Sequence, residues 1–371
     1  MSMVTGGATI ATARRRPVTP LLSRRDAPRV VAMGGGTGLP VLLQGLRAAL
    51  FPLGTPRTPV RDGERLTAIT TVADDGGSSG RLRRAYGVLA PGDIRNCLLA
   101  LSEGDETLKE IFGFRFGGDG GLGGHSLGNL ILTALNQRAG DFRRAVERAG
   151  EILRVRGRII PATADGVTLQ AEFSGGRRVE GECRIAAVRR AIRRVSLRPK
   201  EARPFPQALE AIAAADAIVI GPGSLYTSLL PVLLVRGIAE AVESSRARVI
   251  LVMNLMTEPG ETDGYTAAAH VLALRAHLPS IPLHAVLLNA APIAPERIGL
   301  YATRGAEPIS AQDEALGRLG CRVSRRDLLG PGPRIRHDPD KLARAVLEIA
   351  APAQDQPAAC SERMAQGGAS G

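Results

Sequence analysis

The sequence predicts an α/β protein with a doubly wound, mostly parallel sheet and a small antiparallel β insertion around residues 157–198. Three observations predict it. Apolar, β-branched runs alternate along the chain with runs of helical period. Most of the apolar runs stop at glycine-rich turns that open helices, as the carboxyl ends of parallel strands do. Only Gly157 to Arg198 alternates apolar and polar residues (RIIPA, VTLQAEF, RRVEGECRI) around Gly175-Gly176, the pattern of an antiparallel hairpin.

The elements follow in order. Arg29 to Met33 is the first strand, and the triple glycine after it leads into a helix over Leu39 to Leu50. LTAITTVADD, Leu66 to Asp75, is a second strand ending in two carboxylates. Pro91-Gly92 precedes a helix over Asp93 to Leu101. Ser126 to Arg138 and Phe142 to Leu153 are further helices. Buried strands then recur at Asp216 to Ser224, Arg248 to Met256 and Pro282 to Asn289. The glycine-rich turns should therefore meet on one sheet edge.

A chain of 371 residues with 44% apolar side chains can bury a large core, and 3% aromatic content leaves that core to aliphatics. Residues 1–27 read as a disordered, Arg-rich extension, 28–351 as one domain, and 352–371 as a disordered tail rich in Ala, Gly, Ser and Gln. The net charge of +12 suits an anionic ligand. RNP aromatics, zinc-finger spacing and a helix-turn-helix signature are missing, which argues against nucleic acid. Cys97, Cys183, Cys321 and Cys360 form no CxxC pair, so a reducing cytoplasm fits best. No apolar run reaches the roughly 18 residues of a membrane helix.

Six motifs carry the chemistry. GGGTG, Gly34 to Gly38, sets bare amides at a helix start, where phosphate binds; Gly35, Gly36, Thr37 and Gly38 are the candidates. It is not the dinucleotide fingerprint, since Leu39 stands where the third Gly or Ala belongs, and it lacks the GK[ST] of a Walker loop. ADDGGSSGRLR, Ala73 to Arg83, joins carboxylates to a phosphate-cradle composition. Asp74 or Asp75 can hold Mg²⁺ or a ribose hydroxyl, and Ser78 and Ser79 can meet phosphate. In APGDIRN, Asp93 can cap the next helix, with Arg95 as an anion fork and Asn96 beside it.

Gly124-His125-Ser126-Leu127-Gly128 matches G-x-S-x-G, yet a glycine-rich loop precedes it instead of a buried strand, so a nucleophile elbow does not fit. His125, Ser126 and Asn129 read better as a helix start facing a ligand. IGPGSLYTSLLP, Ile220 to Pro231, is a second cradle, with Gly223 and Ser224 at its mouth and Tyr226 a packing residue or a contact. Asn254 ends a strand, Thr262 or Asp263 can cap a helix, and Tyr265 can stack on a base. RIRHD, Arg334 to Asp338, contributes Arg336 and His337. His270, His277 and His284 have no metal-ligand spacing.

GGGTGLPVLLQGL, TTVADDGGSSGRLR, PGDIRN, GHSLGNL, DAIVIGPGSLYTSLLP and MTEPGETDGYTA, in this order, resemble the bacterial gluconeogenesis factor family, a branch of the 2-phospho-L-lactate transferase-like (CofD-like) group. The resemblance covers about residues 28 to 350. It implies a Rossmann-like, three-layer core. The transferase branch moves a phospholactyl group from a guanosine diphosphate donor onto a deazaflavin hydroxyl with Mg²⁺. The gluconeogenesis-factor branch is a cytoplasmic regulator that binds UDP-sugars and supports cell shape and wall synthesis during gluconeogenic growth. Carried over by motif, phosphates lie on Gly35, Gly36, Thr37, Gly38, Gly223 and Ser224. Asp74 and Asp75 match the transferase's metal or acceptor-side carboxylates, and Tyr265 and Arg336 match positions that hold a UDP-sugar. Some members carry a phosphorylatable Thr after the Arg-His-Asp element, where this chain has Pro339.

The expectation is a non-enzymatic, UDP-sugar-binding regulator; the alternative is a Mg²⁺-dependent phospholactate-type transferase. Both need the same diphosphate cradle, but a deazaflavin pocket calls for aromatic walls that this composition lacks. No cofactor is required on the first reading, with Mg²⁺ the one candidate. The expected partners are a UDP-sugar or other nucleotide diphosphate, cell-wall synthesis proteins and further copies of the chain, with neither membrane nor nucleic acid among them.

Overall fold

The computed structural model describes residues 27–351; the predicted N-terminal extension (but for Ala27) and C-terminal tail lie outside the described residues. In chain order the elements are β1 (Val30–Gly34), α1 (Gly38–Leu50), α2 (Pro59–Arg65), β2 (Leu66–Thr70), α3 (Gly77–Tyr86), α4 (Gly92–Leu101), α5 (Glu106–Gly113), α6 (Leu127–Ala139), α7 (Phe142–Ile152) and β3 (Arg158–Pro161). Next come β4 (Thr168–Phe173), β5 (Arg178–Glu180), α8 (Glu182–Val188), β6 (Ile192–Arg198), α9 (Pro206–Ala214) and β7 (Ala217–Ile220). A one-turn π-helix, Leu225–Leu229, runs into α10 (Leu230–Leu233), followed by α11 (Ile238–Ser244), β8 (Arg248–Val252), α12 (Ala267–His277) and β9 (Ala285–Asn289). The chain closes with α13 (Pro295–Ala302), α14 (Asp313–Arg318), β10 (Arg322–Arg326) and α15 (Pro339–Ala350).

The main sheet has seven strands in the order β10-β9-β8-β7-β1-β2-β3, and every pairing is parallel. This is the predicted α/β class. Every residue of β1, β2 and β7 is buried, so helices must cover both faces, which is why these strands read as unbroken apolar runs. The order reverses between β1 and β7: from β1 the chain builds outward to β2 and β3, then returns to β7 on the other side and continues to β10. A cleft opens outside the carboxyl ends of the strands at such a switch point.

Strand ends depart from the sequence reading. β2 stops at Thr70 and β8 at Val252, so Asp74, Asp75 and Asn254 stand on loops beyond the sheet. The stretch Gly157 to Arg198 divides. Arg158–Pro161 is β3, an edge strand of the main sheet, and the insertion proper is a three-stranded antiparallel sheet, β5-β4-β6, with α8 laid between β5 and β6 in sequence. ECRIAAV thus turns out helical where alternation suggested strand. β10 was not legible, because its residues are mostly exposed and charged. The inner face of the insertion (Leu169, Ala171, Phe173, Val195, Leu197) joins the same hydrophobic core as β1 and α1. Among the described residues no single helix is long and apolar enough to cross a membrane.

α1 packs closely along α15 because Gly45 faces the first turn of its neighbour. A Cβ at Gly45 would strike the Pro339 carbonyl oxygen. Pro339 directly follows the Arg336-His337-Asp338 segment, so this contact also sets where that segment lies. Gly45→Val is expected to destabilise the protein by about 1–3 kcal/mol through overpacking. Urea unfolding measures it, and an unchanged midpoint would contradict the packing account.

Candidate functional site

The cleft begins with two turns in contact. After β1 the backbone bends through Gly36, whose φ of +64° falls in the left-handed region. α1 then starts at Gly38, where a Cβ would collide with the carbonyl of Pro222 in the turn after β7. α1 has no acidic residue in its first turn and no side-chain cap at Thr37, so its positive end faces the cleft. A groove of about 800 Å³ opens there. The β1–α1 turn (Gly36, Thr37, Gly38), Gly223 and Ser224 after β7, and Asn254 to Glu258 after β8 form one side. The end of α13 and the segment Pro333 to His337 form the other.

Arg304, Arg334 and Arg336 all border this groove, and Glu258 is its one lining carboxylate. A small satellite core of Leu255, Met256, Ala306 and Ile335, with Tyr301 packed on it, makes an apolar wall. The Tyr301 hydroxyl accepts from the Ile335 amide at 3.0 Å, which ties the Arg-bearing segment to α13. Burial pushes the His337 imidazole down to about 4, against a hydrogen bond to the Met253 backbone, so it stays neutral. Sequence reasoning found Arg336 but missed Arg304, Arg334 and Tyr301. Arg334 lies in the RIRHD stretch without having been singled out, Arg304 and Tyr301 belong to no motif, and only the fold of α13 against the last loop unites them.

Several predicted ligand contacts are instead internal. Asn254 clamps the second turn: its Oδ1 accepts from Gly223 N–H at 3.0 Å and its Nδ2 donates to Gly223 C=O at 3.0 Å. Its amide therefore positions Gly223 at the edge of the groove that Asn254 itself helps to line. Glu261 caps the π-helix that follows Ser224, accepting from the Tyr226 and Thr227 amides and from Thr227 Oγ1 at 2.9 Å. Tyr265 does not line the groove. Its hydroxyl meets that of Tyr226 at 2.9 Å, and its ring meets His270 edge-on.

On the other side of the glycine turn lie carboxylates. Asp93 is not the cap of α4, which starts from Pro91 without a side-chain cap. It accepts from the Gly36 amide instead, and a Cβ at Gly35 would run into its carboxylate. Burial pushes Asp93 up to about 6. Asp74 and Asp75 diverge. Asp74 closes a tight turn onto Gly76 N–H at 2.8 Å and lies near enough to raise Asp93. Asp75 accepts from Cys183 N–H at 3.1 Å and so caps the start of α8. Glu182, on that first turn, is pushed up to about 9 by burial and by Asp74 and Asp93. The implied Mg²⁺ finds no ready centre. Of the predicted pair one carboxylate is engaged by the insertion, and among the described residues no three His, Cys, Asp or Glu side chains group so as to hold a metal ion.

The remaining candidates form a buried network beside these acids. Ser78 Oγ lies 3.0 Å from His125 Nδ1 and accepts from Asn129 Nδ2 at 3.1 Å. Arg95 donates to Asn129 Oδ1 at 3.2 Å and to Asn96 Oδ1 at 2.7 Å. Ser79 is buried under Gly92. Ser126 is fully buried and donates to the Phe112 carbonyl, so it faces neither ligand nor substrate. Burial and the nearby Arg81 and Arg115 lower the His125 imidazole below its ordinary value. The network ties the start of α3 to α4 and α6.

Comparison with known proteins agrees with the fold. Residues 30–329 match the family described as 2-phospho-L-lactate transferase CofD. The chain is 44% identical over 320 residues to the gluconeogenesis factor of Halalkalibacterium halodurans, covering 86% of this chain and 95% of that one. This chain belongs to the gluconeogenesis-factor branch of the CofD family. The Bacillus subtilis gluconeogenesis factor is 43% identical over 323 residues, covering 87% of this chain and 98% of its own. A Bacillus halodurans crystal structure, described as a member of the UPF0052 family, superposes with a TM-score of 0.80 at 43% identity. That match covers 86% of this chain and 99% of the other, so the CofD-family fold extends over most of the molecule.

The raised carboxyls imply a pH dependence. Asp93, Glu261 and Glu182 sit at about 6, 7 and 9, all through burial first, above their unfolded values. Each holds its proton more tightly in the folded chain, so its stabilising share is present at low pH and is lost as pH rises through these values. Glu182→Gln is therefore expected to raise the unfolding temperature at about pH 8 and to leave it nearly unchanged at about pH 4. Thermal unfolding at both pH values checks this, and a variant destabilised at the higher pH would refute it.

Proposed function

We propose that the protein binds a nucleotide diphosphate sugar, a UDP-sugar, and acts as a non-catalytic cytoplasmic regulator supporting cell shape and cell-wall synthesis during gluconeogenic growth. One observation carries the reading: Arg304, Arg334 and Arg336 face a bare glycine turn across a groove at the switch point of the sheet. Guanidinium forks and helix-start amides together suit a diphosphate. The apolar wall of Met256, Ile335 and Leu300 suits the flat face of a base, and Glu258 can accept from sugar hydroxyls. The gluconeogenesis-factor relatives support the regulatory role.

A second reading, phosphoryl-group transfer from a nucleotide diphosphate, is favoured by one observation: Asp74, Asp93 and Glu182 gather beside the same turn. Against it, Asp75 caps α8, and among the described residues no three metal-ligating side chains come together.

Calorimetric titration tests the assignment. UDP-N-acetylglucosamine or UDP-glucose is expected to bind more tightly than GDP or NAD, with no Mg²⁺ requirement and no turnover. Arg304→Ala and Arg336→Ala should each weaken binding by roughly tenfold or more while leaving the unfolding temperature in place. A preference for GDP with strict Mg²⁺ dependence would favour the transferase, and unchanged affinity in both variants would remove the groove from the account.

A further inference from the structure

We propose that the outer face of the insertion is a docking surface for an acidic segment of a partner protein. Residues 177–200 carry nine arginines and lysines against two glutamates, a net +7 within a chain of net +12. The basicity is therefore concentrated and is not spread over the surface. Arg178 and Arg193 share Glu172, at 3.3 Å and 2.6 Å. Arg177, Arg184, Arg189, Arg190, Arg194 and Lys200 are exposed and have no ion pair among the described residues. Clustered like charges repel one another, and an acidic partner relieves that cost.

The face also has a shape. β5 and α8 border an open hollow of about 640 Å³ lined by Arg177, Arg178 and Arg184, by the single carboxylate Glu180 among the described residues, and by Val179, Ala187 and Val188. Guanidinia beside aliphatic side chains match carboxylates on a peptide that also carries apolar side chains. No aromatic side chain lines the hollow, so it offers no stacking platform for the bases of a single strand. α8 links the hollow to the cleft. Its start bears Glu182, which feels Asp74 and Asp93, and is held by Asp75, while Arg184, Ala187 and Val188 further along it border the hollow. A partner seated there touches the helix whose first turn is held by Asp75.

The test is fluorescence anisotropy of a labelled poly-glutamate peptide titrated with the full chain, at low and at physiological ionic strength. A single-stranded oligonucleotide of equal length and vesicles containing anionic lipid serve as competing probes. The peptide is expected to bind the parent chain more tightly than either competitor. R177E/R184E should weaken peptide binding by about tenfold or more, whereas the charge-matched R61E/R344E, away from the hollow, should leave it nearly unchanged. Thermal unfolding of both variants shows that each remains folded. Absence of peptide binding, equal loss in the two variants, or tighter binding of the oligonucleotide or the vesicles would each overturn the proposal.

Discussion

The site depends on backbone contact between two turns at the one place where the parallel sheet reverses its winding. Gly38 abuts Pro222 so closely that no side chain fits between them. β1 and β7 are neighbours, and both are buried throughout, so neither turn can retreat without opening the core. The start of α1, the π-helix after Ser224 and the Asn254 clamp are all registered against this junction. The sheet thereby holds two helix starts side by side at one groove.

Charge is divided across the junction. Arginines border the groove on the α13 side, while Asp74, Asp93 and Glu182 lie on the insertion side. The protein also fills two amide sites with its own carboxylates: Asp93 on Gly36, and Glu261 on Tyr226 and Thr227. These bonds satisfy backbone donors at the helix starts that have no partner within their helices. They narrow the amides left open in the cleft, and the guanidinium groups border its other side.

Much of the fold was legible. The unbroken apolar strands β1, β2, β7, β8 and β9 announce themselves because a parallel sheet buries both faces. β10 and α8 did not, since an exposed edge strand and a one-sided helix of seven residues leave weak patterns. Within the site, the motif residues stand at the strand ends and helix starts, and several of their polar atoms have partners within the protein. Asp75, Asn254, Ser78 and Ser126 look like ligand contacts by composition, yet each hydrogen-bonds within the protein.

The sequence by itself determined the strand-turn-helix units, the glycine turns and the family, because those follow from local periodicity and from residues adjacent in the chain. Only the tertiary structure decided which polar groups face the cleft. That choice rests on partners far apart in sequence: Asp75 with Cys183, Asp93 with Gly36, Glu261 with Thr227, and Arg304 beside Arg336. A polar side chain near a bare amide is a ligand contact or a cap according to what the fold brings within about 3 Å of it, and no local pattern encodes that distance.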